Sequence, residues 1–379
     1  MTRSALAPLP LNPIRALWFD GWLVVGCTVL ALFAGYFARA FPNDADVFGA
    51  ILAADVWLLG SHHVVATYTR LCFDKESFKE NKFFVLGLPW FVFLGILAAM
   101  WYTGGRLIIS TIYLYWQWFH YTRQSYGIAR IYGRKAPLPA FDEKLTAWVI
   151  YTVPLWGILY ISQRHHRVPH ERFLGSPYWT FTVPDWLLWG AGLLAAGCVA
   201  VWLVRALGRY VDRTLSILPT LYLLSHVVIF VVGYYVLGSI HINLGWLVIN
   251  IWHNAQYILI VWLYNNNRFK EGIDPNAYFL SYISQVKFLW LYFGVCLGLT
   301  AVFYGIVEFF SNTVAPNYLP NLITDGGWAV VAYQGINFHH YIVDGYIWKV
   351  RKKRTRERLG IKEQDDNSTS AEVAKLVDG

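Results

Sequence analysis

The sequence predicts an all-α integral membrane protein, a bundle of about ten transmembrane helices with both termini in the cytoplasm. The first reason is composition: 56% of the 379 residues are hydrophobic and 14% are charged, whereas soluble chains carry roughly 25% charged residues. The second is a series of apolar runs about 20 residues long, the length that crosses a hydrocarbon core of about 30 Å as a helix. The third is the distribution of basic residues between the connections.

Ten apolar runs follow one another along the chain. They cover residues 16–36, 47–68, 83–102, 106–127, 145–163, 185–207, 218–237, 243–264, 288–310 and 327–348. The first run is too long for the core of a signal peptide, so we expect it to remain as an uncleaved anchor. Residues 1–350 then form one transmembrane domain. Residues 351–379 are expected to form a cytoplasmic tail, first basic and then disordered, since its end has no aromatic residue.

Lysine and arginine are distributed unevenly between the two sides that ten spans imply. One side receives 25 of the 31 basic residues, the other receives five, and Arg123 lies within a span. Cytoplasmic connections are the basic ones, so both termini are expected in the cytoplasm and the chain in the inner membrane of a cell. The basic run at 349–358 favours contact with anionic lipid headgroups over contact with nucleic acid.

Seven of the eleven histidines fall inside predicted spans, and the other four fall in outer connections. Counted to the cytoplasmic end of each span at 1.5 Å per residue, they lie roughly 8–17 Å from the inner boundary. Five helices therefore place imidazole in one layer of the inner leaflet. The seven residues are His62, His63, His120, His226, His253, His339 and His340.

Polar residues accompany these histidines at spacings of three, four or seven, which place them on one helix face. Polar groups in the hydrocarbon region must face the bundle interior and find partners there. We therefore expect the amides and one tyrosine to line a substrate site. They are Gln117 and Gln124 near His120, Asn250, Gln256 and Tyr257 near His253, and Asn337 near His340; Asp344 follows His340 by four residues, and Asp55 precedes His62 by seven.

The layer of imidazoles predicts a metal site. A single buried histidine is more often a hydrogen-bonded contact between helices, but seven in one layer exceed that need. Neutral imidazole is the commonest metal ligand, and a neighbouring carboxylate fixes its orientation. Imidazole with few carboxylates and no thiolate suits iron, copper or zinc. We expect non-haem iron, as one or two ions, because the inert bonds of lipid-like molecules call for activation of O₂.

The strongest ligand candidates come from four different helices: His63, His120, His253 and His340. His62 and His339 are the next candidates, whereas His226 has only Ser225 as a polar neighbour and is expected to pack in the core. Asp344 is expected to orient a ligand or to bind the metal itself. Arg123 is expected either to extend toward the interface or to grip a carboxylate or headgroup in a catalytic role.

Four stretches resemble the Brp/Blh family of bacterial β-carotene 15,15′-dioxygenases: GSHHVVATYTR (60–70), QWFHYTRQSYG (117–127), WHNAQYILIVWLYN (252–265) and NFHHYIVDGYIWK (337–349). That family consists of polytopic proteins with isolated histidines in separate helices, which are thought to hold one iron. The resemblance implies oxidative cleavage of an isoprenoid double bond by iron-bound O₂. None of the predicted spans contains the HxxxH or HxxHH box of membrane desaturases and hydroxylases.

Other functions stay open at this point. A hydroxylase or desaturase would need a partner electron donor, whereas a dioxygenase would not. A transporter or channel could use the histidines as a relay, although transporters often show matching halves and helices broken near the midplane, which are not evident here. Haem binding is a further alternative, because His120 could face His253 or His340 at one depth.

Overall fold

The computed structural model describes residues 8–360, apart from 42–44, 103–104, 169, 319–326 and 350–352. The regular structure of these residues is entirely helical, and their one β-bridge, between Phe173 and Ser176, is isolated. The all-α prediction is confirmed.

Eight helices are long and apolar enough to cross a membrane, which indicates a multi-pass membrane protein. Two further long helices complete the set, and all ten are labelled in chain order. They are α1 (Leu17–Ala40), α2 (Asp46–Leu71), α3 (Lys75–Trp101), α4 (Gly105–Lys135), α5 (Ala140–His165), α6 (Asp185–Val211), α7 (Ile217–Leu237), α8 (Ile242–Arg268), α9 (Val286–Asn317) and α10 (Gly327–Ile347).

The two helices outside the group of eight, α4 and α10, carry part of the predicted site. The interior polar residues Gln117 and His120 of α4, and Asn337, His340 and Asp344 of α10, lower the mean hydropathy of these helices. Both helices nevertheless pack into the bundle, α4 against α5 and α10 against α3. Their polarity follows from what they carry, because such groups must face the bundle interior and not lipid.

Helix α8 lies at the centre of the bundle. Its most apolar segment is 83% buried, against 11% for α3, 17% for α6 and 11% for α9, which therefore lie at the periphery. Helices α1, α2 and α7 pack around α8. The indoles of Trp252 and Trp262 on α8 are fully buried, whereas Trp189 and Trp290 on the outer helices are exposed.

Helix α2 contains a π-helical segment at Val56–Ser61, between Asp55 and the two histidines. A regular helix would place Asp55 and His62 on one face, but a π-helical turn bonds residue i to i+5 and holds an extra residue. Asp55 and His63 accordingly face α8, while His62 faces Phe293 of α9. The expected pairing of Asp55 with His62 on one face is therefore wrong.

The connection between α2 and α3 is fixed to the end of α8. Arg268 donates two hydrogen bonds to Asp74, with Nη1 to Oδ2 at 2.7 Å and Nη2 to Oδ1 at 3.0 Å. Asp74 also caps α3 by accepting from the backbone amide of Ser77 at 3.0 Å. Although partial burial raises the pKa of Asp74, the bonds from Arg268 and Ser77 outweigh it and lower that pKa to about 2.

The beginning of the tail packs against α8 and the start of α3, on the same side of the bundle. A short helix at Lys353–Arg358 pairs Arg354 with Glu76 and Glu80, and Arg358 Nη1 donates to the Tyr264 hydroxyl at 2.9 Å. Part of the basic run that was expected to meet lipid headgroups thus makes contacts within the protein. Residues 361–379, which include the end of the tail expected to be disordered, lie outside the described residues.

Candidate metal centre

Four histidines from four helices meet in the bundle interior: His63 of α2, His120 of α4, His253 of α8 and His340 of α10. Their ring centroids are 4.6 Å apart for His63 and His340, 4.8 Å for His120 and His253, 5.2 Å for His120 and His340, and 5.6 Å for His63 and His253. All four residues are buried. We call them the His cluster; they are the four that sequence reasoning ranked first as ligands.

Asp344 joins the His cluster from one turn beyond His340 on α10. Its Oδ2 lies 3.4 Å from His340 Nε2 and 3.9 Å from His120 Nε2. One ligand atom from each of these three residues lies within 4.8 Å of the other two. The spacing i, i+4 places the carboxylate and the imidazole on one helix face, so α10 presents both to the same point.

These distances are those of ligands around one ion. His63 Nε2 lies 3.0 Å from His340 Nε2. With metal–nitrogen bonds of about 2.1 Å, the length found at zinc, two ligands are about 3.0 Å apart at an angle of 90° and about 3.4 Å apart at the tetrahedral angle. The separations of His340 from His63 and from Asp344 match these two values.

A chain of hydrogen bonds orients His340 and Asp344. His340 Nδ1 lies 3.2 Å from Thr67 Oγ1, Thr67 Oγ1 lies 2.9 Å from the Tyr257 hydroxyl, and that hydroxyl donates to Asp344 Oδ1 at 2.6 Å. We assign the proton of neutral His340 to Nδ1, as donor to Thr67, because this lets every hydroxyl in the chain donate onward. The lone pair of His340 Nε2 is then directed at the centre of the His cluster.

Several buried ring nitrogens of the His cluster have no hydrogen-bond partner among the described residues. They are His63 Nδ1, His120 Nε2 and both nitrogens of His253. Buried polar atoms in proteins almost always have a partner. A metal ion accepts one lone pair from each neutral imidazole, so His120 Nε2 and one nitrogen of His253, together with the Asp344 carboxylate, fit a metal site.

A second polar network adjoins the His cluster. Asn250 Nδ2 donates to Asp55 Oδ2 at 2.6 Å, and the Tyr121 hydroxyl donates to Asn250 Oδ1. Gln117 Nε2 donates in turn to the Tyr121 hydroxyl. The ring of Tyr121 lies 4.3 Å from that of His253. This network holds the neighbouring walls of α2, α4 and α8 together beside the His cluster.

A cavity of about 480 Å³ opens from the His cluster toward the beginning of α4 and α10. His63, His253 and Tyr341 line it at the His cluster, and Arg106, in the first turn of α4, lines its other end. Gln117, Asn250 and Asn337, three of the residues expected to line a substrate site, are in its wall. Ligand pockets commonly have volumes of about 300–1,000 Å³, so the cavity is large enough for a lipid chain.

The structure does not bring His62 or His339 to the His cluster. His62 Nδ1 faces the Leu58 carbonyl at 3.1 Å, and its ring meets Phe293 edge-on. His339 Nε2 donates to the Phe84 carbonyl at 2.6 Å. Successive residues of a helix point about 100° apart, so only one histidine of each adjacent pair faces the interior. His226 packs against Phe230 and Trp252.

Four other sequence candidates lie away from the cavity, Arg123 in the exposed position that extension toward the interface predicts. Arg123 is exposed and donates to the Tyr151 hydroxyl at 2.6 Å, away from the His cluster. Gln124 and Gln256 are directed at backbone carbonyls, those of His253 and Leu23, both at 2.9 Å. Tyr257 binds Asp344. None of the four is in the wall of the cavity, so we assign them no contact with substrate.

Three residues beside the His cluster, toward the ends of α2 and α10, were missed by sequence reasoning. Thr67 lies one turn after His63, a spacing that could have revealed it. Trp348 Nε1 donates to the Tyr257 hydroxyl at 3.0 Å, and the Arg70 guanidinium lies 4.1 Å from the Trp348 ring. Arg70 also lies 4.0 Å from the Tyr264 ring. These side chains pack on the side of the centre toward the ends of α2 and α10, and they meet only through the tertiary fold.

Comparisons of the chain with protein-family models, with curated proteins and with solved structures gave no match.

Proposed function

We propose that this protein is an integral-membrane oxygenase that uses histidine-ligated non-haem iron to oxidise a lipid or isoprenoid substrate. The observation that carries the proposal is the convergence of four buried histidines and Asp344, from four helices, at the deep end of an elongated cavity. A substrate dissolved in the bilayer would reach the centre through this cavity. The pattern shared with the Brp/Blh family supports the same reading.

In this proposal His63, His120, His253 and His340 hold the metal, and Asp344 binds it or orients His340. The ligand atoms of His120, His340 and Asp344 lie close enough for a single ion, so we propose one iron. Imidazole and carboxylate without thiolate are ligands that suit non-haem iron. When bound, the iron would supply activation of O₂, the chemistry that inert C–H and C=C bonds require.

The protein's own groups would orient the centre and exclude water. Tyr257 holds Asp344 through its hydroxyl, and Thr67 Oγ1 accepts a hydrogen bond from His340 Nδ1. Trp348 and Arg70 close the cytoplasmic side. Gln117, Asn250 and Asn337 in the cavity wall would hold the substrate beside the His cluster. Whether an external electron donor takes part depends on the reaction, since cleavage by a dioxygenase needs none.

We propose that α4 and α10 cross the inner membrane of the cell together with the eight more apolar helices, giving ten spans and two cytoplasmic termini. Ten spans place 25 Lys and Arg residues on the side of the termini and five on the other side, which supports this orientation. His63 lies eight residues and His340 seven residues before the ends of α2 and α10. These intervals correspond to about 12 and 11 Å of helix, in the cytoplasmic half of the membrane.

The geometry favours this reading over haem binding. Two axial nitrogens on opposite sides of a haem iron would be about 4 Å apart, twice a metal–nitrogen bond. His63 Nε2 and His340 Nε2 are 3.0 Å apart. The pairs that haem binding would use, His120 with His253 or His340, have ring centroids 4.8 and 5.2 Å apart, whereas two imidazole rings on opposite sides of a haem iron would be about 6 Å apart. A transport relay has weaker support, because Trp348 and Arg70 close the cytoplasmic side.

Elemental analysis of the detergent-purified protein, with a visible absorption spectrum of the same sample, tests the proposal. The expected result is about one iron per chain without a Soret band, together with O₂-dependent consumption of a carotenoid or acyl-chain substrate. A Soret band, zinc as the bound metal, or a preparation that binds no iron when iron is supplied would contradict it.

A further inference from the structure

The end of the cavity opposite the His cluster carries Arg106, the second residue of α4, and the described residues that line the cavity include no Asp or Glu. The buried Nε of Arg106 has no hydrogen-bond partner among the described residues. The ion pairs of the described residues do not include Arg106. Glu308, which reaches this wall through Tyr333, has its two oxygens bonded to Asn312 and Tyr333.

Most of the cavity wall is apolar or aromatic. Leu52, Tyr113, Phe173, Trp246 and Val330 form much of it. Arg106 and His120 are on the same helix, 14 residues apart, which corresponds to about 21 Å at 1.5 Å per residue. The cavity therefore offers a cation at one end, an apolar passage, and the His cluster at the other end.

We infer that the substrate is amphipathic and that its anionic end group, a carboxylate or a phosphate, pairs with Arg106 while its chain extends to the His cluster. This inference rests on the proposed function, because it takes the cavity as the path of the substrate. An extended hydrocarbon chain advances about 1.3 Å per carbon, given C–C bonds of about 1.5 Å. The bond that reacts would then be about 16 carbons from the anionic group.

An anion suits this position for two reasons. The planar guanidinium of arginine matches the oxygens of carboxylate and phosphate. Arg106 is part of the first turn of α4, where the helix dipole favours negative charge. A neutral end group would leave Arg106 without a counter-ion among the described residues.

Binding of three probes with one chain length tests the inference: hexadecanoate, hexadecyl phosphate and methyl hexadecanoate. Each is titrated by calorimetry into the full-length protein in a neutral detergent. We expect at least one anion to bind about tenfold or more tightly than the ester, the gain that one charge-assisted hydrogen bond provides. The anion that binds more tightly identifies carboxylate or phosphate as the end group.

Variants assign this preference to the cavity. Arg106→Gln should abolish it, Arg106→Lys should retain part of it, and Arg39→Gln, a change of an exposed arginine in the last turn of α1, should leave it unchanged. Equal binding of acid and ester by the wild-type protein, or a preference that survives Arg106→Gln, would overturn the inference. If Arg106→Gln does not fold, Arg106→Ala replaces it: loss of the preference for anions supports the inference, and persistence of the preference overturns it.

His340→Ala separates this inference from the proposed function. The variant should lose metal yet keep the preference for anions, because Arg106 is about 21 Å from the His cluster by the helical rise. A wild-type protein that prefers the anion but binds no iron would refute the oxygenase and leave the anion site standing. A wild-type protein that binds iron but shows no preference for anions would refute the anion site and leave the oxygenase standing.

Discussion

His63 and His340 are 277 positions apart in the chain, and their Nε2 atoms lie 3.0 Å apart in the bundle interior. Neither nitrogen is needed there for packing, since an apolar side chain would fill the same space without a polar atom to satisfy. The separation matches two metal ligands at an angle of about 90°. The contact therefore links the packing of α2 against α10 to the chemistry of the centre.

The adjacent histidines of α2 and α10 provide matched variants. We expect His63→Ala and His340→Ala to lower the iron content of the purified protein severalfold or more, because each removes a nitrogen that faces the centre. His62→Ala and His339→Ala should retain iron, because these rings contact Phe293 and the Phe84 carbonyl instead. Elemental analysis of monodisperse fractions is the measurement. Equal loss of iron in all four variants would contradict the assignment.

The hydroxyl of Tyr257 should affect the metal without contacting it. Tyr257→Phe removes the donor that holds Asp344 and the acceptor for Trp348 Nε1. Loss of such a partner of a ligand typically lowers metal affinity about 10–100-fold, and competition with a chelator would measure the decrease. Tyr222→Phe is the matched control, since the buried Tyr222 donates to the Ser125 carbonyl away from the His cluster. Unchanged affinity in Tyr257→Phe would refute this role.

Reporter fusions can decide between eight and ten spans. With ten spans, a reporter placed in the connection between α5 and α6, near Gly175, is outside the cytoplasm. If α4 and α10 did not cross, this connection would follow an even number of spans and would be cytoplasmic. A fusion after residue 379 should be cytoplasmic under both counts, so it tests orientation alone. An outside signal there would exclude a cytoplasmic C-terminus.

The pair of Asp74 and Arg268 should make stability depend on pH in the acid range. The pKa of Asp74 is lowered from 3.8 to about 2, so the folded state favours the carboxylate. Its contribution to stability is therefore fully present above about pH 4 and is lost as the pH falls toward 2. Asp74→Asn keeps a residue that can cap α3 but cannot carry the charge.

Thermal unfolding in detergent measures this effect. The wild-type protein should be more stable than Asp74→Asn at pH 7, and the difference should shrink between about pH 4 and pH 2. A difference in midpoint that stays constant over this range would show that the charge of Asp74 does not contribute.

The sequence by itself determined the helical class, because apolar runs of about 20 residues have no other stable form in a bilayer. It also indicated which residues are interior, since groups such as His120, His253 and Asp344 must avoid lipid. These arguments work residue by residue and need no knowledge of which helices are neighbours. Eight of the ten expected spans stand as helices apolar enough to cross a membrane. The two remaining helices, α4 and α10, are more polar, and the reporter fusions test whether they cross the membrane.

Only the tertiary structure decided which polar side chains meet. Helical periodicity gives the face of a residue but not the helix opposite, so Gln124 and Gln256 were expected beside substrate although they contact the carbonyls of His253 and Leu23. The π-helical segment of α2 shifts that periodicity and selects His63 over His62. The cavity and the unpaired Arg106 likewise arise from the packing of α2, α4, α8 and α10. Contacts between residues far apart in the chain depend on how helices pack, which the order of residues within one helix does not specify.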